Sequence, residues 1–197
     1  MNVVKNFLFL KDLNEDIKKN ILKFTDISII ILNDLNNSSY KIEKENLHEI
    51  IKFCKKNNIK FYISNNLQLA LKTKANGLFI KSSKKSIFPK IYKKNFKIIG
   101  TAHSQVEYYF KQRQNCNLVF LSPLFFNSKY SINRILGPLR FNLISRNWIT
   151  EIGCLGGINF KNLKKIKLLK TNALGFISLI KSLEIKKPAY CLSRRVF

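Results

Sequence analysis

Eight short apolar runs punctuate the chain, and nothing else in it limits the possible folds so strongly. They are FLFL (Phe7–Leu10), ISIIIL (Ile27–Leu32), IKFYIS (Ile59–Ser64), GLFI (Gly77–Ile80), FKIIG (Phe96–Gly100), LVFLS (Leu118–Ser122), ITEIGCLG (Ile149–Gly156) and ALGFISLI (Ala173–Ile180). Nearly continuous apolar runs, without clean alternation of apolar and polar residues, are the pattern of parallel strands that are covered on their outer face. Each is followed by a polar, lysine-rich stretch with helical period, so the chain reads as a string of βα units. Eight such units in 197 residues predict a compact (β/α)8 barrel, near the lower limit of roughly 200 residues for that architecture. An open doubly wound sheet is the other arrangement this pattern allows. The barrel is expected to be a single domain over residues 1–185, followed by a loosely attached tail, KKPAYCLSRRVF, over 186–197.

The helices between the runs show their buried faces by period. In residues 43–57, Leu47, Ile50, Ile51 and Cys54 fall at i, i+3, i+4 and i+7 of an otherwise charged segment. His48, in the same segment, is expected on its surface. In SQVEYYFKQRQ, Ser104 and Glu107 have the spacing of a capping box, and Val106, Tyr109 and Phe110 are the expected inward stripe. Asn159 is the expected N-cap of a helix running through FKNLKKIKLLK.

Charge excludes less than it suggests. A net charge of +25 from 36 Lys+Arg against 11 Asp+Glu is the usual footprint of a nucleic-acid or membrane binder. Here the lysines are scattered along the whole chain, with no basic stripe interleaved with aromatics, so a solvated lysine coat is expected, with neither nucleic acid nor membrane as partner. An anionic small ligand such as a phosphate ester is compatible with that field. The four cysteines, Cys54, Cys116, Cys154 and Cys191, have neither CxxC spacing nor a neighbouring histidine set, which argues against zinc and against a disulfide framework. The apolar run before Lys11 and Asp12 is too short for a signal segment, so the protein is expected in the cytoplasm.

In a barrel of this kind chemistry sits after the C-terminal ends of the strands. After the fifth run comes TAHS, Thr101–Ser104, which would put His103 at the mouth as a proton carrier and Thr101 as a hydroxyl donor to an anion. A packing role for His103 is equally open from the sequence alone. After the sixth run, Ser122–Phe141 reads as a long loop with Asn127, Ser128, Lys129 and Arg134, able to clamp an anionic substrate or simply to coat the surface. After the seventh stand Gly156 and Gly157, two of only seven glycines, before the expected helix. A glycine turn against helix amides is a phosphate site in physical terms, although a tight turn alone explains the pair as well. Leu179 and Ile180, after the eighth run, would add amides to the same site.

In this order, YISNNLQLALKTKANGLFI, IIGTAHS, LSPLFFNSKY…LGPLRF and CLGGIN resemble segments of the thiamine phosphate synthase and thiazole tautomerase family. The resemblance implies a (β/α)8 barrel that binds a thiazole phosphate at the glycine turn and the eighth strand. In the synthase, Mg²⁺ assists the departure of pyrophosphate from an aminopyrimidine diphosphate. It also implies that Gly157, Leu179 and Ile180 supply phosphate amides, that Thr101 lies near the pyrophosphate, and that Asn127 and Lys129 stand where the family has two threonines. The family's Mg²⁺ aspartates fall at Asn65 and about Lys84, its pyrimidine-binding Gln and Arg near Ile31 and Asn33, and its loop lysine at Tyr130, so the metal ligands are not retained. By position, Asp12 and Asp34 are candidate substitutes. Three readings follow: a divergent thiamine phosphate synthase, a metal-free thiazole phosphate tautomerase using His103, and a barrel that binds a phosphorylated metabolite without turnover.

Overall fold

The computed structural model describes residues 4–24, 26–32, 44–87, 95–128 and 130–177. All eight runs are strands: β1 (Lys5–Leu10), β2 (Ile27–Ile31), β3 (Lys60–Ser64), β4 (Gly77–Ile80), β5 (Lys97–Ala102), β6 (Leu118–Leu121), β7 (Glu151–Leu155) and β8 (Ala173–Phe176). They form one closed, wholly parallel barrel in chain order. Leu8 of β1 lies opposite Ile29 of β2 and Phe176 of β8, so the cylinder closes with no unpaired edge. The helices are α1 (Glu15–Ile21), α2 (Lys44–Lys56), α3 (Leu67–Lys72), α4 (Gln105–Arg113), α5 (Gly137–Ser145) and α6 (Leu163–Ile166).

Each strand has two apolar faces because each serves two cores. Alternate residues Phe7, Phe9, Tyr62, Phe79 and Phe120 fill the barrel interior, with Phe7 and Phe120 edge to face at 5.4 Å, and Phe9 against Phe79 at 5.2 Å. The other set, with Leu8, Ile29, Ile31 and Ile63, packs with helix residues such as Ile17, Ile21, Ile50 and Cys54. The expected α2 stripe is buried at all four positions, and His48 is exposed. Cys54, Cys116 and Cys154 are free buried thiols, and burial pushes each pKa up to about 12. Cys191 and the tail lie outside the described residues. Among the described residues no helix is long and apolar enough to cross a membrane.

Several sequence expectations need correcting. On α4, Val106 and Tyr109 point outward, 65% and 55% exposed, while Tyr108 and Lys111 are the buried face. Tyr108 stacks on Trp148 at 4.1 Å and accepts a hydrogen bond from Ile149 N at its hydroxyl, and Lys111 is bonded to backbone carbonyls, so a lysine holds an inward position. Among the described residues, therefore, one lysine lies inside the lysine coat. The helix after β7 covers only Leu163–Ile166, with Asn162 at its N-cap position. Asn159 instead accepts from Lys161 N at 2.9 Å, a local turn that competes with helix. Ser122–Phe141 is not loop throughout: a 3₁₀ turn occupies Ile132–Arg134 and α5 starts at Gly137. After β4, residues 81–87 form no helix.

Candidate active site at the barrel mouth

The C-terminal ends of the strands enclose a cavity of about 310 Å³, floored by Phe9 and Phe79 and reached by Leu10, Leu32, Thr101, Ser122, Leu155 and Ile177 from six strand ends. Lys11, Lys81 and Asp12 also line it, two cations against one carboxylate, which favours an anionic guest. β5 runs two residues further than its apolar pattern indicates, so Thr101 is a strand residue, almost fully buried, facing this space beside His103.

His103 is fixed from three sides. Its backbone N–H donates to Glu107 Oε2 at 2.7 Å, while Glu107 N donates to Ser104 Oγ at 3.3 Å. The capping box thus reaches one residue further back than its usual form and anchors the histidine. The ring Nδ1 lies 2.7 Å from the carbonyl oxygen of Ser122. A carbonyl can only accept, so Nδ1 carries a proton, and in the neutral form of the ring Nε2 is the nitrogen with the free lone pair. Tyr130 packs on the ring at 5.5 Å. Beyond it, a second hollow of about 520 Å³ shares His103 and Tyr130 and is lined by Arg134 and Arg140.

The glycine pair stands behind this cavity, and Leu155 is the β7 residue that lines it. Both glycines have positive φ, +98° at Gly156 and +69° at Gly157. A Cβ on Gly157 would collide with the carbonyl oxygens of Phe125 and Phe126. The turn docks onto the loop after β6, with Leu124 N donating to Leu155 O at 2.9 Å and Phe125 N to Gly156 O at 3.0 Å. Gly157 O accepts from Asn162 Nδ2 at 2.8 Å. The short α6 begins six residues after Gly157, so no helix dipole aims at the glycine turn as the sequence pattern suggests. Asn127 is half-buried on the β6 loop and does not line the cavity, whereas Lys129, Leu179 and Ile180 lie outside the described residues.

Asn65 and Lys84, to which the resemblance assigns the metal, do not suit a divalent cation. Asn65, at φ +52°, uses its Oδ1 to accept Lys81 N at 3.1 Å, so this amide oxygen is committed to the chain. Lys84 is itself a cation. Asp12 is held by Asn46 Nδ2 at 3.3 Å and is the one carboxylate lining the cavity among the described residues, while Asp34 lies outside them. No group of three or more His, Cys, Asp or Glu side chains is placed to hold a metal among the described residues.

Residues 8–182 match the family model described as thiamine monophosphate synthase. The chain belongs to the thiamine monophosphate synthase family. Among solved structures it is similar to thiamine phosphate pyrophosphorylase from Pyrococcus furiosus, with 17% identity, 90% of this chain and 87% of that one covered, and a TM-score of 0.66. The pyrophosphorylase from Bacteroides thetaiotaomicron is 16% identical over 98% of this chain and 90% of that one, with a TM-score of 0.54. FabK from Thermotoga maritima, 12% identical over 91% of this chain and 60% of that one, reaches 0.63, so at such identities the likeness extends to the barrel alone. No curated protein matches the chain significantly. In this member of the thiamine monophosphate synthase family, Thr101 and His103 stand together at the barrel mouth, with Asn65 after β3 and Lys84 after β4.

Proposed function

We propose that this chain acts on a thiazole phosphate in thiamine synthesis, as a synthase-type transferase that joins it to an aminopyrimidine diphosphate. The observation that carries this reading is a cationic mouth cavity holding Thr101 and His103 in a chain whose family match spans residues 8–182. In this reading the thiazole phosphate rests against the turn at Gly156 and Gly157, with Leu179, Ile180, Asn127 and Lys129 completing the phosphate subsite. Thr101 donates its hydroxyl to the leaving pyrophosphate, whose charge Lys11 and Lys81 offset at the rim. Asn65 and Lys84, at the positions the resemblance gives to Mg²⁺, do not suit that ion, and the rim lysines stand in for it in offsetting the charge.

The geometry of His103 favours a second reading. With Nδ1–H fixed on Ser122 O, Nε2 is set to take a proton from one atom of a bound thiazole phosphate and return it to another, a tautomerisation that needs no metal. The test is turnover of thiazole phosphate with and without the pyrimidine diphosphate and Mg²⁺. Formation of thiamine phosphate from both substrates supports transfer. Isomerisation of the thiazole phosphate alone, slowed about 10²-fold or more in His103→Ala, selects tautomerisation. Binding without turnover overturns both, and absence of binding overturns the phosphate-ester reading itself.

A further inference from the structure

Lys111 is an unusual place for a cation. It is 0% exposed, on the inward face of α4, and takes part in none of the ion pairs among the described residues. Its Nζ donates to Lys81 O at 2.6 Å, Lys84 O at 2.9 Å and Gln114 Oε1 at 3.0 Å, so all three ammonium protons have an acceptor. Gln114 continues the contact, its Nε2 donating to Lys84 O at 2.9 Å and Ser86 O at 2.8 Å. The lysine stem crosses β5 at Gly100, where a Cβ would stand 2.9 Å from Lys111 Cδ. Burial pulls its pKa down to about 8, against a smaller opposing influence of Cys116 and Glu107. A buried ammonium is costly unless its protons are satisfied, and here the acceptors that satisfy them are supplied mainly by one loop.

That loop, 81–87, leaves β4 and brings Lys81, Ser82 and Ser83 to the mouth cavity. Elsewhere in the loop, Asn65 Oδ1 accepts from Lys81 N, Lys84 N makes a turn bond to Lys81 O at 3.1 Å, and Lys85 Nζ lies over the Phe110 ring of α4, 5.1 Å from its centroid.

We propose that Lys111 is a positioning residue whose buried ammonium, with Gln114, clamps the loop after β4 and so presents Lys81, Ser82 and Ser83 to a phosphate-bearing ligand at the mouth. An internal ammonium gathers carbonyl oxygens as a bound cation would, and shapes this wall of the site from within the chain. The clamp stands on the geometry of Lys111 and Gln114 alone, whereas its service to a phosphate ester rests on the function proposed above.

The experiment measures hydrogen exchange of residues 81–87 in the full chain and in Lys111→Met and Gln114→Leu, alongside calorimetric binding of thiazole phosphate. Loop exchange is expected to rise about tenfold or more in Lys111→Met and less in Gln114→Leu, with β2 and β6 remaining protected. Affinity for thiazole phosphate is expected to fall about tenfold with the loop. If Lys111→Met fails to fold, Gln114→Leu carries the same comparison. Unchanged loop exchange in the folded variants overturns the clamp, as does a wild-type loop that loosens to the variant level when EDTA strips metal from it. Loosened variants whose wild type binds no thiazole phosphate uphold the clamp and overturn the ligand reading.

Discussion

Two walls of the mouth are held in opposite ways. On the β7 side, the turn at Gly156 and Gly157 is fixed by main chain against main chain, with carbonyl oxygens of Phe125 and Phe126 where a side chain would start. On the β4 side, loop 81–87 is held by side chains at the end of α4, Lys111 in its last turn and Gln114 at its C-cap. Backbone docking leaves no room for adjustment, so the β7 turn is part of the scaffold. A side-chain tether can be loosened without disturbing the strands beneath it, so the β4 loop is the wall that local chemistry can tune.

This contrast makes graded predictions. Gly157→Ala forces both a left-handed φ and a backbone collision, and is expected to cost about 2–4 kcal/mol of folding stability by urea denaturation; a loss below about 1 kcal/mol would erase the distinction between the walls. Lys111→Met removes a buried charge together with its bonds, two effects that oppose each other, so its global stability should change by less than about 2 kcal/mol even as the loop loosens. Asn162→Ala, which removes the shorter of two side-chain amide bonds to Gly157 O and the acceptor of Asn159 N, is expected to cost about 1 kcal/mol and to leave loop 81–87 untouched.

The smallest effect is in pH. Lys111 sheds its proton at about 8 in the folded chain, below the ordinary 10.5. Between these values the unfolded chain holds one more proton, so this group's contribution to stability rises with pH from about 8 to 10.5 and is lost as pH falls through about 8. The clamp moves the other way, because a neutral amine grips carbonyls less firmly. Loop exchange, corrected for its intrinsic pH dependence, should therefore increase above pH 8 and stay flat in Lys111→Met. The groups facing the ammonium, Glu107 and Cys116, act in the opposite sense to burial and set the midpoint with it.

What could be read in the sequence follows the same division. The barrel was legible because continuous apolar runs are what two-sided burial requires, and Phe9 and Leu10 on one strand serve the two cores in turn. The glycine pair was legible because few residues can occupy positive φ. Its partner was not: nothing in CLGGIN names Phe125 and Phe126 as the surface it docks on, and the short α6 appears only once Asn159 and Asn162 are seen bonding into the turn. Lys111 was hidden for a different reason. In a chain so rich in lysine, one lysine reads like the rest, and the apolar residues Val106, Tyr109 and Phe110 present themselves as the α4 stripe in its place. Only the carbonyls of a loop nearly thirty residues away reveal the exception.

The aromatic filling of the barrel has a consequence for traffic. Phe7, Phe9, Phe79 and Phe120 make the cylinder a cup with a closed bottom, and Phe9 and Phe79 are the surface on which a guest would come to rest. The ring-filled interior therefore offers a guest no passage along the barrel axis, and the mouth at the C-terminal strand ends is where it enters and leaves.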